Sequence, residues 1–123
     1  MKILLSIKPE FADKILNGNK QFEFRKVIPK VKVTTVLIYA TRPIGKIIGE
    51  FEIEYFLSET PNKLWALTSN FSGISENFFY EYFQDCKIAH ALKIRKAYRY
   101  KKPMELTTIL ASGVVPQSFC YLK

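Results

Sequence analysis

Cysteine is scarce in this 123-residue chain: Cys86 and Cys120 are the only two, and they form no CxxC pair. That excludes a disulfide framework, and free thiols in a reducing cytoplasm are the expectation. Histidine is scarcer still. His90 is the only one, four residues after Cys86 and far from Cys120. Three soft ligands without paired spacing do not make a zinc site, so no metal and no cofactor are expected. No nucleophile elbow accompanies His90, which argues against a serine triad and for a buried, hydrogen-bonded structural histidine. Gly45 and Gly49 flank Lys46-Ile47-Ile48 without a GK[ST], so there is no phosphate loop. Long apolar runs are missing too. Ile3-Leu4-Leu5 is too short for a signal h-region or a membrane span. Asn70-Phe71-Ser72 fits a glycosylation sequon, but without an export signal it reads as chance.

Acidic residues are a minority, 11 against 19 Lys and Arg, giving a formal charge of +8. A basic excess on a small domain favours anionic partners, nucleic acid first, although a generic basic surface gives the same balance. The length suits a single domain, residues 1–123, able to bury a core without staples. With 48% hydrophobic residues, including ten Phe, seven Tyr and one Trp, disorder is excluded and a β-containing fold is favoured.

Along the chain, Lys2 to Lys8 reads as a strand with Ile3, Leu5 and Ile7 on one face. Pro9 opens a helix to about Asn17, stopped by Gly18. Lys20 to Val27 is a second strand and Val33 to Thr41 a third, followed by a turn at Arg42 to Gly45. Ile47 to Leu57 alternates, with Phe51, Ile53 and Tyr55 on one face and Glu50, Glu52 and Glu54 on the other. Thr60-Pro61 starts a helix carrying Leu64, Trp65 and Leu67, broken by Gly73. Ser75 to about Gln84 is another helix, with Phe78, Phe79, Tyr82 and Phe83 on its apolar side. Lys87 to Lys101 is a long strand, expected to be bulged, with Ile88, His90, Leu92, Ile94, Tyr98 and Tyr100 on one parity. Pro103 to Leu110 is a short helix or connector, and Pro116 to Leu122 a last strand. The order β-α-β-β-β-α-α-β-(α)-β disfavours an alternating parallel fold. It predicts an α+β mixed barrel of about six strands with helices packed at the rim.

The segment Gly18 to Arg25 stands out. Strand geometry puts Glu23 and Arg25 on one face, about 6.5–7 Å apart, and a turn can swing Lys20 toward them. Arg25 could fork onto phosphate or stack on a base. Glu23 could accept from an exocyclic amine. Lys20 offers a point charge, or a base if desolvation lowers its pKa. A solvated strand face with cross-strand ion pairs would carry the same residues. A second basic set, Lys93, Arg95, Arg99 and Lys101, could track a nucleic-acid backbone or simply guard an edge strand.

Ile15-Leu16-Asn17-Gly18-Asn19-Lys20-Gln21-Phe22-Glu23-Phe24-Arg25 resembles the signature of the ASCH domain family, in which I-L-x-G-x-K leads into E-x-R. Lys8, Tyr39-Ala40-Thr41, Ile48 to Ile53 and Pro116-Gln117-Ser118-Phe119 are similar to the family in their placement. The resemblance implies a PUA-like barrel whose cleft binds RNA, a nucleotide or a modified nucleoside. Carried over by position, Lys20, Glu23 and Arg25 would line that cleft. By strand order Lys8, Tyr39, Thr41 and Ser118 would join them, Tyr39 stacking on a base and the hydroxyls bonding its edge. Some small bacterial members deacetylate acetylated cytidine with a lysine, a threonine and a glutamate. Lys20 matches the lysine, Glu23 stands where the threonine would be, and Ser69 to Ser75 offers no match for the glutamate. In an enzyme, Lys20 and Glu23 would be the acid/base pair of such an amidohydrolase or of a ribonuclease. The third possibility is a protein-interaction domain using the aromatic helix Phe78 to Phe83. The oligomeric state is not legible.

Overall fold

The computed structural model describes residues 1–122. Strand β1 (Lys2–Ile7) leads through helix α1 (Pro9–Leu16) to the short β2 (Phe22–Arg25), then β3 (Thr35–Ala40) and the long β4 (Lys46–Glu59). Helix α2 (Pro61–Thr68), a 3-10 turn (Ser69–Phe71) and α3 (Glu76–Tyr82) precede β5 (Ala89–Met104), α4 (Leu106–Ile109) and β6 (Phe119–Leu122). The strands form one sheet in the order β2-β5-β4-β3-β1-β6. Among the described residues only β1 and β3 are parallel, as the crossover through α1 and β2 requires; the other neighbouring pairs are antiparallel. The sheet curls into a half-barrel with helices, the expected α+β architecture. Among the described residues no helix is long and apolar enough to cross a membrane.

Three apolar clusters hold this sheet. Ile3, Leu5 and Ile7 from β1 pack with Val36, Ile38, Phe51, Leu92 and Ile94 and with Ala12 and Ile15 of α1. Phe22, Phe24, Ala89 and Ala91 pack under Leu64 of α2 and Phe79 and Phe83 of α3. Leu4, Leu37, Tyr39 and Ile47 pack against Leu106 of α4. Removing such area from water is the main stabilising term, about 25 cal/mol per Å².

β2 and β6 are the sheet's two edges, and among the described residues no backbone ladder joins them. A side chain spans the seam instead. Arg25 donates through Nη2 to the Ser6 carbonyl of β1 at 2.8 Å and through Nη1 to the Ser118 carbonyl ahead of β6 at 3.5 Å. Ser6 Oγ donates to the Pro116 carbonyl at 2.9 Å, tying the same segment down.

Several boundaries differ from those read in the sequence. β2 holds only Phe22–Arg25, because the preceding backbone turns away: the Lys20 amide donates to Lys14 and the Gln21 amide to Phe71. β5 runs on through Pro103 to Met104, leaving α4 only four residues, and the last strand starts at Phe119 rather than Pro116. Tyr55 does not face inward with Phe51 and Ile53; it is exposed. Register shifts between β4 and β5 at Glu52/Ile53 and Ile53/Tyr55 invert the alternation, so Phe56 joins the inner cluster instead. The same shifts break the predicted parity of β5. Leu92 and Ile94 are buried, whereas Tyr98, beyond the shifts, is exposed; Ile88, which precedes the strand, is also exposed, and Ala89 and Ala91 serve the other face. Leu67 of α2 also faces outward. His90 is hydrogen-bonded as expected, its Nδ1 lying 2.7 Å from Ser58 Oγ, but it is only half-buried, and desolvation lowers its pKa.

Candidate functional site

The side chains of β2 alternate as a strand must. Phe22 and Phe24 face the α2–α3 cluster, and Glu23 faces inward beside Leu92, its partner in β5. Glu23 and Arg25 form an ion pair, Nη2 to Oε2 at 2.9 Å and Nε to Oε2 at 3.0 Å. Both side chains are largely buried, and both Arg25 bonds end on one carboxylate oxygen. With two further bonds to the Ser6 and Ser118 carbonyls, the guanidinium is committed to the protein.

Lys20 is the least expected of the three, because only 2% of its surface is exposed. Gly18, at φ +89°, turns the chain out of α1 and sends Lys20 inward. Its Nζ donates to the Ser72 carbonyl at 2.7 Å and lies 4.8 Å from the Phe24 ring centre and 5.5 Å from that of Phe11. The stem runs under Gly73, where a Cβ would come within 2.5 Å of Lys20 Cβ and Cγ. Gly73 also has φ +70°, so position 73 needs glycine for both space and conformation. Burial is the main cause that lowers the Lys20 pKa to about 8. Glu23 partly restores it, and Lys14 and Arg25 push it further down. The ammonium is therefore mostly charged at neutral pH and half neutral near pH 8.

These groups open onto a cavity of about 220 Å³ between α1, β2, α3 and the end of β1. Its polar lining is Ser6, Lys8, Lys20, Glu23 and Arg25. Its walls are Ile7, Phe11, Phe24, Ile74, Phe78 and Tyr82. Phe11 and Phe78 meet edge to face at 5.2 Å, and Lys8 Nζ sits 5.5 Å from the Phe78 ring centre. Burial raises the Tyr82 pKa, so its hydroxyl stays protonated and can donate. An apolar slot with two ammoniums and one carboxylate in its lining can stack a flat heterocycle and bond its edge.

The sequence-predicted residues divide. Lys8, Lys20, Glu23 and Arg25 converge on the cavity, whereas Tyr39, Thr41 and Ser118 do not line it. Ala40, Ile38 and Val36 take the inner face of β3, which turns Tyr39 to the opposite face against α4. Thr41 lies in the turn after β3, its amide bonded to the Ile7 carbonyl. Ser118 is exposed and reaches the site only through its carbonyl on Arg25. The β5 cations sit elsewhere again. Lys93 covers the Phe22 ring, Arg99 pairs with Asp13 at 3.0 Å, Arg95 lies 3.9 Å from Glu52, and Lys101 is exposed. Sequence reading missed Phe11, Phe78 and Tyr82, whose helical spacing is equally that of core residues.

A small curled half-barrel with an aromatic cleft at its seam and a charged pair in its lining is the class of protein this geometry defines. Residues 5–106 match the ASCH domain. The chain belongs to the ASCH domain family. It is 32% identical over 124 residues to the ASCH domain-containing ribonuclease of Zymomonas mobilis, covering 98% of this chain and 83% of that protein. The crystal structure of ASCH from Zymomonas mobilis superposes with a TM-score of 0.92 at 32% identity, covering 99% of this chain and 87% of the other. A Ureaplasma parvum protein named ATP synthase subunit alpha is 37% identical over 123 residues. The match covers 98% of this chain but only 15% of that protein.

Proposed function

We propose that the chain is an RNA-binding domain, residues 1–123 acting as one unit, that takes an unpaired base, modified or not, into the cavity beside Lys20. The observation that carries this reading is the buried Lys20 ammonium, which shares the cavity lining with the Glu23 carboxylate and is walled by Phe11, Phe24, Phe78 and Tyr82. A charge held this far from water is costly, and a base that bonds to it relieves part of the cost. Lys20 supplies the donor and Glu23, through the oxygen Arg25 leaves free, the acceptor. The aromatic walls stack on the ring. Arg25 positions Glu23 rather than gripping phosphate, which leaves that role to Lys8 at the mouth and to the exposed cations of β5.

The test is anisotropy of labelled single-stranded RNA over a salt series. Lys20→Ala and Glu23→Gln are expected each to weaken binding about tenfold or more, with affinity falling steeply as salt rises. Unaltered affinity in both variants would show that the cavity is not where RNA binds.

A hydrolytic reading has one observation of its own. The relative from Zymomonas mobilis is named a ribonuclease, and an amine titrating near 8 can exchange a proton close to neutrality. Incubation with single-stranded RNA and with acetylated cytidine, followed by mass spectrometry, separates cleavage and deacetylation from binding alone. Glu23 cannot serve as a hydroxyl nucleophile, so cleavage of RNA is the expected outcome of the two.

A further inference from the structure

A second hollow of about 210 Å³ adjoins the cavity. The two share Phe11, Ile74 and Phe78, so the edge-to-face Phe11–Phe78 pair stands as a ridge between them. Each is smaller than the roughly 300–1,000 Å³ of a site that encloses a whole drug-sized ligand. One ring system fits either; a complete nucleotide fits neither. A base seated beside Lys20 must therefore leave its sugar and phosphate outside, where the strand continues past the ridge.

The second hollow differs in chemistry from the first. Its polar wall carries Glu10 and Lys14 of α1 and Ser75 ahead of α3. Lys14 Nζ donates to the Gly73 carbonyl at 3.1 Å and keeps its other N–H groups. Ser75 Oγ accepts from the Phe78 amide, which leaves its proton to give. Lys8 and Lys14 lie about 9 Å apart along the axis of α1, one lining each hollow. A phosphodiester crossing the ridge passes between two cations and over two aromatic rings.

From this geometry we infer that the ligand is at least two consecutive nucleotides of a single strand, one base in each hollow and the linking phosphate over the Phe11–Phe78 ridge. The inference rests on the RNA-binding reading and sharpens it: a free nucleoside or mononucleotide fills half the site.

Calorimetric titration with the four ribonucleoside monophosphates and with 5′-phosphorylated diribonucleotides tests this. The best dinucleotide is expected to bind at least tenfold tighter than the best mononucleotide. Lys14→Ala should shrink that ratio to near one, and Lys14→Arg, which keeps the charge, should restore most of it. Circular dichroism checks that both variants are folded. Equal affinities of mono- and dinucleotides, with both lost in Lys20→Ala, would overturn the two-hollow inference and leave the RNA-binding reading standing. A dinucleotide advantage that persists in Lys14→Ala overturns it as well, since the second nucleotide then lies elsewhere. If neither class of ligand binds, the two-hollow inference falls, and the RNA anisotropy series alone decides the RNA-binding reading.

Discussion

Lys20 and Lys101 carry the same side chain into opposite surroundings. Lys20 lies under Gly73, between two phenylalanine rings, with one carbonyl and one carboxylate to answer its charge. Lys101 stands on the outer part of β5, exposed to water. The first is a charge the fold has desolvated, and burial has moved its titration to about 8. The second keeps its hydration and acts on a partner only through a field that salt screens within about 10 Å. A count of nineteen cations treats them alike. What separates them is dielectric environment, and that makes one a candidate for recognition and the other for general attraction.

The comparison can be pressed hardest at Arg25, which holds the desolvated side together. Arg25→Ala leaves Glu23 buried without its guanidinium and opens the seam to Ser6 and Ser118. A loss of about 3–5 kcal/mol in urea denaturation is expected. A loss under 1 kcal/mol would mean that the buried charges are better solvated than their burial indicates. Gly73→Ala comes next, at about 2–4 kcal/mol, since it combines a positive φ with a clash against the Lys20 stem. Its urea midpoint should fall with the m-value unchanged.

Lys20→Met separates stability from binding. The folded pKa of Lys20, about 8, lies below the ordinary 10.5. Between those values the unfolded chain binds more protons than the folded one, so stability contributed by this group rises with pH. The desolvation penalty is present in full below pH 8 and relieved as pH climbs from 8 toward 10.5. The variant should lack that rise, bind RNA more weakly, and stay within about 1 kcal/mol of the parent at pH 7, because the Ser72 carbonyl loses its donor while the buried charge disappears. Thermal melts at pH 7, 8 and 9.5 read this directly, and an unaltered pH slope would refute the assignment. RNA affinity of the unsubstituted chain should fall as pH rises through 8, where the Lys20 donor loses its charge.

Lys101→Ala marks the small end. Folding stability should move by less than about 0.5 kcal/mol. If β5 tracks the phosphate backbone, the slope of log affinity against log salt should flatten by about 1. A change in stability comparable to that of Arg25→Ala would erase the distinction between the two sets of cations.

Much of this was legible in the chain itself. Alternation in Phe22-Glu23-Phe24-Arg25 placed the two charges on one face and the two rings on the other, because successive side chains in a strand have no choice. Pro9 and Gly18 bracketed α1 by their backbone preferences, and the spacing from Gly18 to Arg25 carried the family resemblance. Those are local constraints, settled by sterics over a few residues. Which face of β3 Tyr39 takes, where β4 and β5 slip register, and that Gly73 roofs Lys20 from more than fifty residues away are of another kind. So is the choice of Phe11, Phe78 and Tyr82, rather than other helical aromatics, as walls. Their energies arise only when distant segments pack together, and a single register shift reverses the facing of every residue beyond it.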